Sequence, residues 1–249
     1  MKINETVRDI LAECKVEGNV LYLPGIQLER SVYLEVNKVL EALGGKWNRK
    51  IKGHEFDSYP EAVVEEIVLS GEYTDGKKEL QFFETPESLA SRLCDLAEIT
   101  PDCSVIEPSA GKGRIADEII KRGPKDLKCF EINKDMETYL KDKAYNVSYI
   151  DFLEVNSPDA SADRIVMNPP FSKQQDIDHV YKAYDCLNPD GILVSVMSIS
   201  HTYRTNQKSE LFREFLEQTR AEVEILPDGA FKESGTMVKT CIVKIRKAA

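Results

Sequence analysis

The chain has 249 residues, 42% of them hydrophobic and 31% charged, with a formal net charge of −10. That length suits one large domain or one domain with a smaller companion, and the composition excludes a disordered or fibrous chain. No apolar run approaches a membrane span, Met1-Lys2-Ile3-Asn4-Glu5 lacks the apolar core of a signal peptide, and the acidic balance argues against a strong non-specific grip on nucleic acid.

A cytoplasmic location is therefore expected, with no membrane contact. The cysteines at 14, 94, 103, 129, 186 and 241 form no Cys-x-x-Cys pair, and the histidines at 54, 179 and 201 are scattered. No metal site is expected, and most of the cysteines read as small, buried, reduced side chains.

Residues 1–72 read as a small α+β domain. Val7, Ile10, Leu11 and Cys14 have helical spacing, and Gly18-Asn19 turns into a strand at Val20–Leu23. Ser31 is expected to cap a helix with apolar positions Val32, Val36, Val39, Leu40 and Leu43, stopped by Gly44-Gly45. From Gly44 to His54 the chain carries Lys46, Arg49, Lys50 and Lys52, no acid, and its single Trp, Trp47. This segment reads as a hairpin. It is either a solvated one with Trp47 in the local core, or a substrate contact through Lys46, Trp47, Arg49 and Lys50. Pro60 opens a further helix through Ala62, Val63, Ile67 and Val68, ending at Gly71. Residues 73–81 are polar and read as a linker.

From residue 82 to 249 strands and helices alternate. Strands are expected at Ser104–Glu107, Leu127–Ile132, Val147–Asp151, Arg164–Asn168 and Gly191–Ile199, with helices at 112–122, 133–143 and 174–187. That alternation predicts an α/β fold with a doubly wound, mostly parallel sheet. The tail departs from it: a helix at 208–219 precedes strands Ala221–Leu226 and Lys239–Arg246, which only a loop separates. Those two strands are expected to pair antiparallel, because a parallel pair needs a long crossover.

Chemistry gathers at the strand ends. The first strand runs into Glu107-Pro108-Ser109-Ala110-Gly111-Lys112-Gly113, where two glycines permit a tight turn and a close approach to a ligand. Glu107 suits an ammonium group better than a pyrophosphate. Glu131, at the end of the next strand, can accept from both hydroxyls of a ribose. Asp151-Phe152, at the third, offers an acceptor for an adenine amino group beside an aromatic ring. The fourth strand ends in Asn168-Pro169-Pro170-Phe171. Proline donates no ladder hydrogen bond, so the strand stops there. The Asn168 amide oxygen and the Pro169 carbonyl can each accept one hydrogen of an exocyclic amino group, and Phe171 can stack on the ring that carries it.

On these motifs the chain from residue 82 resembles the class I S-adenosylmethionine-dependent methyltransferases, and within them the N6-adenine DNA methyltransferases. The glycine segment matches their cofactor motif, without the common Phe before the first glycine. Asn168-Pro169-Pro170-Phe171 matches their catalytic motif. Phe82-Phe83-Glu84-Thr85-Pro86 resembles the motif that closes over the methionine end of the cofactor; lying ahead of the glycine segment, it gives the gamma-like order. The resemblance implies a Rossmann-like, seven-stranded sheet with a C-terminal antiparallel hairpin, and S-adenosyl-L-methionine as cofactor. It implies cofactor contacts at Thr85, Pro86, Glu107, Pro108, Ser109, Gly111, Gly113, Glu131, Ile132, Asp151, Phe152 and Asn168. It implies catalysis at Asn168, Pro169, Pro170 and Phe171.

The implied reaction is direct methyl transfer to adenine N6 in DNA. RNA or a protein glutamine as acceptor, and a non-catalytic nucleic-acid-binding partner subunit, stay open; an NAD-dependent oxidoreductase lacks a catalytic His, Lys or Tyr at recognisable spacing. The family's large C-terminal target-recognition domain has no counterpart in residues 227–249. A separate specificity subunit or a homodimer is therefore left open. Two loops read either as ordinary surface or as the lining of a substrate groove: Ser200–Ser209, with His201, Tyr203, Arg204 and Lys208, and Asp228–Lys239, with Phe231 and Lys232.

Overall fold

The computed structural model describes residues 1–17, 19–56, 60–73, 84–171, 174–227, 229–231 and 238–248, the side chains of 61–63, 65–66 and 158–159 excepted. Gly18, Phe82, Phe83, Asp228, Lys232 and most of the expected linker lie outside the described residues. The chain divides into two units, one built chiefly from Met1–Phe82, the other from Phe83–Ser234 and Lys239–Ala249.

In the N-terminal unit α1 (Glu5–Ala12) starts where the Asn4 side chain accepts the Val7 N–H at 2.8 Å, and it buries Val7, Ile10 and Leu11. Strands β1 (Lys15–Glu17) and β2 (Val20–Tyr22) form a hairpin, and β3 (Lys46–Asn48) and β4 (Gly53–Glu55) form a second. The four make an antiparallel sheet in the order β1-β2-β4-β3. Helices α2 (Arg30–Ala42) and α3 (Glu61–Ser70) complete the unit, with Leu21, Val36, Leu40, Phe56, Ile67 and Val68 in its core. Two expectations change. Glu29, in extended conformation, precedes α2 and its carbonyl accepts the Tyr33 N–H, so Ser31 lies inside the first turn and caps nothing. Trp47 keeps 45% of its surface in solvent and is not a core residue.

The C-terminal unit contains α4 (Glu87–Leu96), β5 (Ser104–Glu107), α5 (Arg114–Ile120), β6 (Asp126–Phe130), α6 (Glu137–Leu140), β7 (Asn146–Ser148) and β8 (Ala162–Met167). It continues with α7 (Gln175–Cys186), β9 (Leu187–Ser198), α8 (Ser200–Tyr203), α9 (Gln207–Gln218), β10 (Glu222–Ile225) and β11 (Thr240–Arg246). Its seven strands lie in the order β10-β11-β9-β8-β5-β6-β7. The five from β5 to β9 are parallel, while β11 runs antiparallel to both β9 and β10, as the hairpin expectation required. Ile106, Phe130, Ile165, Met167, Leu193, Met197 and Val243 build the core on the sheet, with Ile177 and Val180 of α7 and Phe212 of α9 packed in. The central strand β8 ends in a fully buried Ile165-Val166-Met167, each side chain contributing about 1.5–3 kcal/mol by leaving water.

Two helical expectations shift. Residues 133–143 form a 3-10 turn, Lys134–Met136, and then the single turn of α6. The segment is too polar to sustain a longer amphipathic face; Leu140 is its only side chain buried in those two elements. Helix α4, which sequence reasoning passed over, buries Leu89, Ala90, Leu93 and Cys94.

Strand order decides where a ligand can sit. From β5 the chain moves outward to β6 and β7, then returns to the other side of β5 for β8 and β9. The sheet therefore has its switch point between β5 and β8, and the crevice in such a sheet opens beyond the carboxyl ends of those two strands. Glu107 ends β5 and Asn168 follows β8 directly.

Candidate active site

The glycine segment after β5 is stitched down by backbone hydrogen bonds. The Ala110 N–H donates to Phe130 O at 2.9 Å and the Gly113 N–H to Ala110 O at 2.7 Å. Gly111 and Gly113 have φ of +55° and +87°, the left-handed region that favours glycine. At Gly113 a Cβ would lie 2.2 Å from the Tyr145 Oη, so a side chain is excluded by space as well as by conformation. Tyr145 in turn donates to Asp117 Oδ1 at 3.1 Å and fixes this corner of the loop to α5.

Three acids stand at or just beyond the carboxyl ends of β5, β6 and β7. Glu107 is fully buried. Its Oε1 accepts the Ser109 N–H at 3.0 Å, and its Oε2 has no hydrogen-bond partner among the described residues. Burial, reinforced by the charge of Glu131, pushes this carboxyl up to about 8 against the pull of the Ser109 N–H. Glu131 accepts the Gly111 N–H at 2.7 Å through Oε2 and the Asn133 N–H at 2.7 Å through Oε1, so the loop and the acid hold each other in place. Asp151 follows β7, is half-buried, and uses Oδ1 to accept the Leu153 N–H at 2.9 Å, capping a short turn at Phe152–Glu154. Phe152 points inward, 2% exposed, with ring centroids 5.4 Å from Phe130 and 6.3 Å from His179. Ile132 does the opposite. It is 68% exposed beside Glu131, and Tyr139 and Ile150 also stand largely in solvent after β6 and β7.

Beyond β8 the Asn168 Nδ2 donates to the Thr85 Oγ1 at 3.0 Å. That bond joins the two motifs across 83 residues of sequence and sets which way the amide faces: Nδ2 is engaged, and Oδ1 is the acceptor atom. Thr85 is buried, and Pro86 next to it precedes α4. Pro169 is buried and Pro170 exposed. Phe171, expected to offer its face to a ring, is 8% exposed, and its carbonyl accepts the Gln174 N–H at 3.1 Å.

Sequence reasoning missed the residues that brace these motifs. Glu84 pairs with Arg114 at 2.8 Å and with Lys112 at 3.5 Å, tying the Thr85 segment to the glycine loop. Burial alone would raise the Glu84 carboxyl, but hydrogen bonds and charge from Arg114 and Lys112 prevail and hold it below the usual range. After the Asn-Pro-Pro-Phe segment, Gln174 has φ of +57° and a buried side chain. It donates to Ser209 Oγ at 2.5 Å and accepts from Asn206 Nδ2 at 2.8 Å. In a sequence these are unremarkable polar residues, and only the contact reveals them.

Two expected substrate residues are corrected. His201 is 2% exposed, its Nδ1 2.9 Å from Ser198 O and its ring edge-on to Phe212; burial lowers its pKa. Phe231 is 1% exposed. Both side chains are turned away from solvent, so neither presents a surface to a groove here. Tyr203 and Arg204 are half-buried, while Lys46, Arg49 and Lys50 are exposed. All six cysteines are free thiols, five of them buried. Among the described residues no group of three His, Cys, Asp or Glu is placed to hold a metal ion, and no described helix is long and apolar enough to cross a membrane.

The model of the methyltransferase small domain family matches residues 90–224, more than half of the chain. The chain belongs to that family. It is a class I methyltransferase, and its methyl donor is of the S-adenosylmethionine type. A stretch of 107 residues is 36% identical to the modification methylase CviBIII of Paramecium bursaria Chlorella virus NC1A, covering 39% of this chain and 28% of the viral protein. The methyltransferase subunit of a type I restriction-modification system from Streptococcus thermophilus shares the fold. It has a TM-score of 0.59 and 17% identity, covering 75% of this chain and 49% of that one. So does the 23S rRNA methyltransferase ErmE, with a TM-score of 0.52 and 19% identity, covering 68% of this chain and 70% of that one. A fold common to proteins so named does not choose between polymers.

The methyltransferase residues fit such a donor. Among the described residues Glu107 Oε2 is a buried, partnerless carboxylate oxygen of the kind an ammonium group would satisfy. Glu131 is held rigidly by two backbone N–H groups, and Ile132 leaves an apolar surface in solvent where a flat base can lie.

Proposed function

We propose that this methyltransferase transfers a methyl group from S-adenosyl-L-methionine to the N6 amino group of adenine in DNA. The observation that carries the proposal is the Asn168–Thr85 bond, which engages the amide Nδ2 and leaves Oδ1 as the acceptor, just beyond the strand that pairs with the one ending in Glu107. The relative named a modification methylase and the Asn168-Pro169-Pro170-Phe171 motif support DNA as the polymer.

In this reading Glu107 takes the cofactor's ammonium, Glu131 the ribose hydroxyls and Asp151 the adenine amino group. Thr85, Pro86, Pro108, Ser109, Gly111, Gly113, Ile132 and Phe152 shape the surrounding walls. When bound, S-adenosylmethionine supplies an electrophilic methyl group on a sulfonium sulfur. The protein's task is on the acceptor side. The lone pair of an adenine amino nitrogen is delocalised into the ring and is a poor nucleophile. Asn168 Oδ1 and the Pro169 carbonyl each accept one amino hydrogen, pull the nitrogen toward tetrahedral geometry and fix it in line for attack. The target base must leave the duplex stack to reach them. No strong base is required, since the proton can leave after transfer. Incubation with tritiated-methyl donor and duplex DNA, RNA or protein tests the polymer directly. Label in DNA is expected, and label confined to RNA or protein would overturn the assignment.

The raised Glu107 carboxyl gives the site a pH signature. Below about 8 it carries a proton that must leave before an ammonium can bind, so cofactor binding releases a proton and affinity rises with pH, by up to about ten-fold per unit. Above about 8 the acid is already ionised and the rise stops. The ligand-free fold behaves conversely. It loses stability as pH climbs from the ordinary carboxyl range toward 8, where the unfolded chain holds fewer protons. Calorimetric titration of S-adenosylhomocysteine from about pH 6 to about pH 9 checks the first effect. The native protein should show the rise and Glu107→Gln a flat profile; a flat native profile would remove Glu107 from the ammonium site.

A further inference from the structure

The basic hairpin β3–β4 belongs to the N-terminal unit and is built as a contact. Residues 1–73 hold nine Lys and Arg against thirteen Asp and Glu, and four of the nine lie between Lys46 and Lys52 with no acid among them. Lys46, Arg49, Lys50 and Lys52 are all exposed, and among the described residues none of the four forms an ion pair. The turn that presents them is held: the Lys50 N–H donates to Asn48 Oδ1 at 3.0 Å, and Asn48 Nδ2 donates to Glu55 Oε2 at 3.0 Å. Gly53 brings β4 close against β2, where a Cβ would meet Val20 Cγ1 at 2.7 Å.

Trp47 stands beside this turn. It pairs in register with His54, ring centroids 5.1 Å apart in an edge contact. His54 is fully buried and bonded through Nε2 to Asn37 Oδ1 at 2.8 Å, so the indole leans on a fixed neighbour. The largest apolar side chain of the unit nevertheless leaves 45% of its surface in water. A fixed, half-exposed indole next to unpaired cations is the pairing that single strands and unstacked bases meet: a stacking surface with a phosphate-attracting rim.

We propose that this hairpin grips the polynucleotide on which the methyltransferase acts, Trp47 stacking on a base and Arg49, Lys50 and Lys52 meeting phosphates. The proposal rests on a polynucleotide being the substrate. The local patch gives a grip that the net charge of −10 would otherwise oppose.

The test uses the full chain and fluorescence anisotropy with labelled duplex DNA, single-stranded DNA, single-stranded RNA and a polyglutamate peptide. Trp47→Ala should weaken binding of at least one polynucleotide by about ten-fold, and Trp47→Phe should restore most of it. The double variant R49A/K50A should flatten the slope of log K against log salt on duplex by about two. Affinity for S-adenosylhomocysteine and the melting temperature should stay at their native values in all three. Native-level polynucleotide binding by Trp47→Ala and R49A/K50A would overturn the hairpin proposal and leave the methyl-transfer reading standing. Hairpin-dependent binding of polyglutamate alone would make it a protein contact and overturn it equally. A native chain that binds no polynucleotide and labels only protein would overturn the reading beneath it.

Discussion

Replacing Asn168 with alanine is expected to cut methyl transfer by about three orders of magnitude or more. Asn168 is held from two sides. Its backbone follows the fully buried Val166-Met167 of a central strand, and its Nδ2 is engaged by Thr85 at 3.0 Å. The acceptor atom therefore occupies one position. Alanine removes it without moving the strand. The amino group then loses both the pull that frees its lone pair and half of the clamp that aligns it. The fold loses the bond to Thr85, a matter of about 1 kcal/mol and a drop of about 2–4 °C in melting temperature. Cofactor affinity should change no more than about five-fold, since Asn168 makes at most one such contact with it, worth about 1 kcal/mol. A tritiated-methyl assay beside a calorimetric titration separates the two. Activity retained by Asn168→Ala would sink the assignment.

Glu131→Ala is expected to lower affinity for S-adenosylhomocysteine by about 100-fold or more, because each charge-assisted hydrogen bond to a ribose hydroxyl is worth about 1.5–3 kcal/mol. The change also strands the Gly111 and Asn133 N–H groups, which Glu131 accepts at 2.7 Å each. The glycine loop should loosen and stability fall by about 1–3 kcal/mol. Glu131→Gln keeps an acceptor for the loop and should retain stability better than affinity. An unchanged calorimetric affinity in Glu131→Ala, measured on a chain shown to be folded, would remove the acid from the ribose site.

Much of this was legible in the residues. Strand β5 was read at its true limits, Ser104–Glu107, because an apolar run stops at a proline. The acids at 107, 131 and 151 were legible as strand-end residues: Glu107 ends β5, Glu131 follows β6 directly and Asp151 lies three residues beyond β7. What stayed hidden depended on packing between distant segments. His201 and Phe231 look like loop residues available to a substrate, and a sequence does not show that Phe212, eleven positions on from His201, closes over it. Trp47 shows the reverse: the sequence leaves it between the local core and a substrate contact, and its 45% exposure excludes the first. Helix α4 begins directly after the Glu84-Thr85-Pro86 segment, and its four buried positions, Leu89, Ala90, Leu93 and Cys94, are interleaved with polar and charged residues that mask the pattern. Helix α6 was overdrawn because helical residue types were present without enough apolar surface to hold a second turn. The braces Glu84–Arg114 and Gln174–Ser209 join residues 30 and 35 positions apart, and no local pattern announces them.

The central claim is that the Asn168 clamp serves an adenine amino group on DNA. DNA methylated by the native chain, digested to nucleosides and resolved by mass spectrometry, tests it most directly. The account predicts N6-methyldeoxyadenosine, absent from the Asn168→Ala reaction. A methyl group found instead on cytosine, on guanine or on a protein side chain would contradict it.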